Sequence, residues 1–198
     1  EEFLEGPEVS VLSFTDGKTI VPMVSSKDHK RALDGDKGLN TGGMGTIAPN
    51  PYYTPEIADR CMREIFLPTM AAMNAEKRTF KGCLYFGLML TKNGPKVIEY
   101  NSRFGDPETQ VVLPLLKTDL LTIFKAVRDE RLADVKVEFS DGAAACVILA
   151  SGGYPQNFQT VFEIHGLDAM GQAAGVTVYH AGTRLEAGKF LTSGGRVL

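Results

Sequence analysis

The sequence predicts an α+β fold in which antiparallel hairpins and helices occupy separate stretches, with a small β-rich part at the end. Three observations predict it. Residues 8–24 and 82–101 carry strand patterns on both sides of tight turns, Asp16-Gly17 and Asn93-Gly94, as β-hairpins do. Residues 54–76 and 118–131 repeat apolar positions at helical spacing without alternating one for one with strands, so no parallel sheet is implied. Beyond residue 140, helical periodicity gives way to short strand patterns separated by glycines. The chain is therefore expected to hold a larger antiparallel sheet flanked by helices over 1–139, then a truncated β-rich domain over 140–198.

Each element has its own signal. Residues 8–14 are β-branched and alternating, and residues 19–24 return across Asp16-Gly17. Residues 25–53 show little hydrophobic periodicity; a stretch this long is usually functional or disordered. It reads either as a ligand loop, whose glycines bring backbone N–H groups to an anion, or as a mobile surface loop with a basic run. Its glycine pattern is neither that of a P-loop nor that of a dinucleotide-binding turn. Thr54 caps a helix with Pro55 in its first turn, and Ile57, Cys61, Ile65 and Phe66 form its buried stripe. Pro68 is expected to kink or split that helix. Residues 82–91 are apolar on both faces, as for a strand covered twice, and Gly87 marks a close approach. Asp106 is expected to cap a helix with Pro107 at its first position, and Thr118 or Asp119 to cap the next. Residues 143–150, 176–181 and 188–192 are strand candidates.

The chemistry concentrates in KVIEYNSRFGDPE, residues 96–108. Alternation on a strand sends Glu99, Asn101 and, by extension, Arg103 to one face. A carboxylate, an amide oxygen and a guanidinium together suit a hard divalent cation and the phosphates it bridges. The competing reading is an exposed polar strand face with an ordinary ion pair. Near the start, residues 1–4 read as a linker whose backbone pairs with a flat base edge, and Glu8 as an acceptor for ribose hydroxyls. The alternative there is an acidic surface strand.

Composition narrows the partners. The chain has 198 residues and a formal net charge of -3, so neither a nucleic-acid footprint nor a basic membrane patch is expected. Three scattered cysteines (Cys61, Cys83, Cys146) and three histidines lack zinc spacing, and a reducing, cytoplasmic setting is expected. The chain starts inside a patterned segment without Met and stops as a strand pattern begins, so it reads as a piece of a longer protein.

Five motifs, in order, carry a resemblance: EEFLEG at 1–6, SKDHKR at 26–31, NTGGMG at 40–45, EYNSRFGDPETQVVLPLL at 99–116 and SGGRVL at 193–198. Together they resemble the glycinamide ribonucleotide synthetases (phosphoribosylamine–glycine ligases), a family of the ATP-grasp superfamily, over essentially the whole chain. The resemblance implies ATP-dependent ligation of glycine to 5-phosphoribosylamine through glycyl phosphate, in purine biosynthesis. It implies adenine contacts from Glu1 and Leu4, ribose contacts from Glu8, and Mg²⁺ or Mn²⁺ on Glu99 and Asn101. Arg103 matches the arginine beside the phosphates and is the implied catalytic residue. Asp28, Lys30, Asn40, Thr41, Gly42, Gly43, Asp106 and Pro107 are implied to line the glycine and phosphoribosylamine side. The sequence departs from the family pattern at Pro7 and Leu39, and residues 88–90 offer no acidic ligand. Because the family's N-terminal domain and ATP lid lie upstream, these residues alone are expected to turn over little or no substrate. Another ATP-grasp carboxylate–amine ligase and a non-catalytic nucleotide-binding module remain the alternatives.

Overall fold

The structure, a computed structural model, describes residues 2–198. In chain order its elements begin with β1 (Glu8–Thr15), β2 (Ile20–Pro22), β3 (Lys27–Asp28), β4 (Arg31–Leu33), β5 (Lys37–Asn40) and β6 (Gly45–Ala48). Helices α1 (Pro55–Cys61) and α2 (Leu67–Ala75) follow, then β7 (Gly82–Thr91), β8 (Gly94–Asn101), α3 (Thr109–Val112) and α4 (Leu120–Arg128). The last elements are β9 (Ala144–Val147), α5 (Leu167–Gly171), β10 (Thr183–Glu186) and β11 (Lys189–Thr192). They fall into two units: one holds the chain up to Asp28 with 46–146, the other 29–45 with 147–198.

The first unit is built on an antiparallel sheet of order β2-β1-β7-β8. One face carries Val9, Val11, Leu84, Phe86 and Leu88 against Cys61, Ile65, Phe66 and Met70 of the helical layer. The other carries Leu12, Phe14, Cys83 and Tyr85 against Val111, Val112, Ile123 and Val127. Burial on both sides explains why residues 83–88 read as a continuous apolar run, each large side chain contributing about 1.5–3 kcal/mol. The Asp16-Gly17 turn is tied inward: Asp16 accepts from the N–H groups of Lys18 (2.9 Å), Thr19 (2.7 Å) and Leu132 (3.0 Å).

The starts of α1 and α4 obey their sequence signals. Thr54 Oγ1 accepts from Ile57 N–H at 3.4 Å, capping α1 above Pro55. Pro68 lies in the first turn of α2, and a π-helical turn over Met62–Phe66 joins α1 to α2 just ahead of it, so the helix changes its winding there but does not split. Asp119, not Thr118, caps α4, accepting from Thr122 N–H at 2.7 Å.

Residues 25–53 differ from the irregular stretch that the sequence suggests. They contain four short strands; β3, β6 and β9 form a small sheet in that order, and β4 pairs with β5. Periodicity is invisible there because the strands are two to four residues long and β5 is exposed throughout.

The second unit holds the β4–β5 and β10–β11 hairpins and a bridge between Ala150 and Arg196. Among the described residues, Val197 is its one buried hydrophobic side chain. Two strand expectations change. Of residues 143–150, only Ala144–Val147 form a strand. Residues 176–181 form none: Val176 N–H closes a turn onto Ala173 O (3.3 Å) and Ala181 N–H donates to Val197 O (3.0 Å), so the alternating pattern meets no continuous partner. No helix among the described residues is long and apolar enough to cross a membrane.

Candidate functional site

The register of β8 decides which side chains meet. Its first half pairs Lys96 with Met89 and Val97 with Leu88; its second half pairs Glu99 with Gly87, Tyr100 with Phe86 and Asn101 with Tyr85. Ile98 is the extra residue of a β-bulge. Directly opposed residues share a face, so Glu99 and Asn101 lie on the face of Gly87 and Tyr85. On β1 that face carries Ser10, opposite Gly87, and Glu8, opposite Met89. Val97 falls on the other, helix-covered face with Leu88. Gly87 is the close approach that the sequence suggests: a Cβ there would stand 2.8 Å from Glu99 Cγ and 3.4 Å from Tyr85 Cε1. Glu99 is exposed and Asn101 half-buried.

Arg103 does not extend this alternation. The strand ends at Asn101, the chain bends, and Arg103 Nη1 donates to Phe104 O at 2.8 Å, with the side chain exposed. Nor does Asp106 cap a helix. Helix α3 starts at Thr109 with Glu108 as the preceding residue, and Asp106 Oδ1 accepts instead from Gln110 Nε2 at 2.7 Å. Pro107 is buried beside it.

Beneath the face lies a group that sequence reasoning did not single out. Glu108, 4% exposed, accepts at Oε1 from Ser10 Oγ (3.1 Å) and Tyr85 Oη (3.0 Å). The two hydroxyls stand 2.9 Å from each other. Burial, and then the negative Glu108, push the Tyr85 phenol well above its ordinary range, so it acts as a hydrogen-bond donor. This triangle joins β1, β7 and the segment after β8, and Gly105 leaves room for it, since a Cβ there would press on Glu108 Oε2. Alternation along residues 82–91 places Tyr85 in phase with Gly87; that was the available signal. Nothing local shows Glu108 turning inward.

At the start of the chain, Glu1 lies outside the described residues. Leu4 is half-buried, and Gly6 lets the backbone pass so close to Leu90 O that any Cβ would collide with it. Pro7 O accepts from Leu90 N–H at 2.9 Å, which sets Glu8 at the first position of β1. Asp28 is half-buried in β3, paired with Thr46.

The second unit gathers Lys30, Asn40, Thr41, Gly42 and Gly43, and there the backbone-donor expectation is overturned. Thr41 N–H donates to Lys30 O (2.8 Å), and Met44 N–H to His29 O (2.8 Å). Gly43 N–H donates to Thr41 Oγ1 (3.0 Å), and Gly42 N–H to Tyr154 Oη (3.2 Å). These four amides are engaged within the protein, so they form no open nest for an anion. What the loop leaves outward is side chain, with Asn40 exposed.

The donor set fits a hard cation. Glu99 and Asn101 offer carboxylate and amide oxygens on one sheet face above the Gly87 gap, and Mg²⁺ characteristically takes few protein oxygens and fills its remaining positions with water and phosphate. Among the described residues no cluster of three or more His, Cys, Asp or Glu could hold a metal by itself. A groove of about 730 Å³ also opens in this unit, lined by Ala72, Met73, Phe80, Leu84, Val97 and Tyr100 and reaching Asn101 and Ser102 at its rim. Its walls are mostly apolar, with Glu64, Glu76 and Arg78 among the polar residues that also line it.

Comparison with known proteins gives these elements their family. Residues 1–109 match the family described as phosphoribosylglycinamide synthetase, ATP-grasp (A) domain. The chain belongs to the phosphoribosylglycinamide synthetase family. Residues 144–198 match that family's C domain. The phosphoribosylamine–glycine ligase of Clostridium acetobutylicum is 53% identical over 198 residues, all of this chain and 47% of that protein. The trifunctional purine biosynthetic protein adenosine-3 of Gallus gallus is 49% identical over 199 residues, all of this chain and 20% of that protein. The crystal structure of phosphoribosylamine–glycine ligase from Thermotoga maritima superposes with a TM-score of 0.81 at 35% identity, covering 100% of this chain and 48% of that one. The biotin carboxylase subunit of pyruvate carboxylase shares the fold alone, with a TM-score of 0.52 at 17% identity over 100% of this chain and 39% of its own. The α+β fold is thus that of an ATP-grasp domain followed by the family's C domain, and the chain spans about half the length of the bacterial relatives it matches.

Proposed function

We propose that this chain forms part of a phosphoribosylamine–glycine ligase, joining glycine to 5-phosphoribosylamine with ATP. The glycine carboxylate attacks the γ-phosphate, forming glycyl phosphate and releasing ADP. The amine of phosphoribosylamine then attacks the acyl carbon and phosphate leaves, giving the amide. No protein nucleophile is required; positioning and charge neutralisation carry the catalysis.

One arrangement above all supports this reading: Glu99 and Asn101 share a sheet face with Glu8, opposite a glycine that makes room for the Glu99 side chain. Glu99 and Asn101 would hold Mg²⁺ or Mn²⁺, which when bound supplies positive charge against the phosphates. Glu8 accepts from the ribose hydroxyls, and the backbone of Leu4 borders the adenine, the role that the family resemblance gives to Glu1 as well. Arg103 is free to swing from its own neighbour's carbonyl toward phosphate or acyl phosphate, because a single exposed hydrogen bond restrains it. Asp28, Lys30, Asn40, Thr41, Gly42, Gly43, Asp106 and Pro107 border the glycine and phosphoribosylamine side, the two glycines by their shape and not by donating N–H.

The test uses the full-length protein, with these residues inside a chain as long as its relatives. ADP release should require both glycine and 5-phosphoribosylamine, and other amino acids or amines should not substitute. Glu99→Gln should weaken Mg·ATP at least tenfold, about 1.4 kcal/mol. Turnover with a different amine, or unaltered Mg·ATP binding in Glu99→Gln, would overturn the reading.

A further inference from the structure

The glycine-rich segment at 40–45 and the SGGR segment at 193–196 are distant in sequence, yet they meet inside the second unit. Arg196 Nη1 donates to Gly42 O at 2.7 Å and approaches Gly43 O at 3.4 Å. Its guanidinium lies so close along Gly42 that a Cβ there would stand 2.9 Å from Cζ and Nη2 and 3.1 Å from Nε. On the amide side of the same residue, Tyr154 Oη accepts from Gly42 N–H at 3.2 Å. Gly42 is thus held through both of its peptide groups by side chains more than a hundred residues away.

The surrounding glycines deliver those two side chains. A Cβ on Gly195 would stand 2.3 Å from Tyr154 Cδ2, and one on Gly182 would stand 2.5 Å from Arg196 O. Gly182 N–H donates to Arg196 O at 2.8 Å, while Ser151 holds the preceding turn through Oγ to Gly194 O (2.9 Å) and through N–H to Gly195 O (2.8 Å). A planar guanidinium can lie flat on a glycine while aiming N–H groups at its carbonyl; an ammonium cannot do both. The absence of a side chain at Gly42 therefore serves the protein's own arginine instead of a bound anion.

We propose that Arg196 and Tyr154 are positioning residues that hold the 40–45 loop in one shape, so that its outward side chains meet the amine and carboxylate substrates. The inference rests on the reading that this loop belongs to the substrate side. It assigns Arg196 no contact with the reacting atoms.

The experiment compares full-length wild type with Arg196→Lys, Arg196→Met, Tyr154→Phe and Gly42→Ala, measuring KM for each substrate and amide hydrogen exchange of the peptide containing 40–45. Gly42→Ala leaves both clamping side chains in place and pushes them off from the other side, so it tests the geometry without deleting a charge. Exchange in that peptide should speed at least tenfold in Arg196→Met and Gly42→Ala, while the β10–β11 peptide is unaltered. KM for glycine or 5-phosphoribosylamine should rise at least tenfold with KM for ATP unchanged, and guanidinium ion should partly restore Arg196→Met. Unchanged exchange in both variants would overturn the clamp, whatever the activity. Faster exchange with every KM unchanged would confirm the clamp but overturn the substrate-side role claimed for it.

Discussion

Gly87→Ala separates the chemistry of the sheet face from its stability. The added Cβ would lie 2.8 Å from Glu99 Cγ. Carbon contacts relax to about 3.5–4.0 Å, so Cγ must retreat by roughly 1 Å, and the carboxylate with it. Catalytic and binding groups tolerate about 0.5 Å of misplacement, and Mg²⁺ demands near-ideal octahedral geometry. Mg·ATP affinity should therefore fall about tenfold to a hundredfold, ~1.4–2.7 kcal/mol. Folding should hardly suffer. Glu99 is exposed and can rotate away, while Ala in a strand interior is better than Gly by roughly 0.5–1 kcal/mol. Isothermal titration of Mg·ATP into the full-length protein, beside urea melts, reads both quantities. Affinity within about twofold of the parent, with Glu99→Gln impaired, would refute the steric argument. Equal losses of stability and affinity would show that the effect is merely structural.

Other expectations follow from the interior. Tyr85→Phe removes one hydroxyl from the triangle with Ser10 and Glu108 and should cost about 1–3 kcal/mol; with Glu108→Ala in a double-mutant cycle the coupling should be about 1–2 kcal/mol, and additive losses in denaturant melts would refute the network. Burial alone would raise the Asp16 carboxyl, but N–H groups of Thr19, Lys18 and Leu132 outweigh it and hold the group below its ordinary 3.8. A depressed folded value means the stabilisation is present above the unfolded pKa and is lost as pH falls through the folded one. Asp16→Asn should thus cost about 1–3 kcal/mol near neutrality and flatten the acid limb of the stability curve; an unaltered limb refutes the assignment. Burial pushes the Cys83 thiol up to about 12, and that of Cys61 up as well, so iodoacetamide should reach half-buried Cys146 first. Native-state labelling of Cys83 ahead of Cys146, read by mass spectrometry, would contradict this.

What the sequence made legible was local. The Asp16-Gly17 and Asn93-Gly94 turns, the Thr54-Pro55 start, the change of helical winding ahead of Pro68 and the close approach at Gly87 each rest on a residue whose backbone or cap chemistry has few alternatives. The shared face of Glu99 and Asn101 followed from a two-residue period. What was hidden depended on distant partners. No pattern near residue 108 shows its carboxylate turning toward Ser10 and Tyr85, ninety-eight and twenty-three residues away. The 40–45 loop looked like an anion cradle because its glycines are visible, whereas Tyr154, which occupies the Gly42 amide, and Arg196, which occupies its carbonyl, are not. The strands between 25 and 53 escaped notice because runs of two to four residues are too short to show a hydrophobic period, and β5 is exposed throughout. Alternation does not reach Arg103, because the strand ends at Asn101.

The extra residue at Ile98 gives β8 two reading frames. Ahead of it, the hairpin turn dictates orientation and Val97 is committed to the oily side; after it, a new phase begins and the acid and the amide look the other way. Removing Ile98 would leave both orientations intact in an uninterrupted ladder, whereas pairing the same residues without the irregularity would drive Glu99 into the helical layer opposite Phe86. A single unpaired isoleucine thus insulates the polar half of the strand from whatever the apolar half must do to pack.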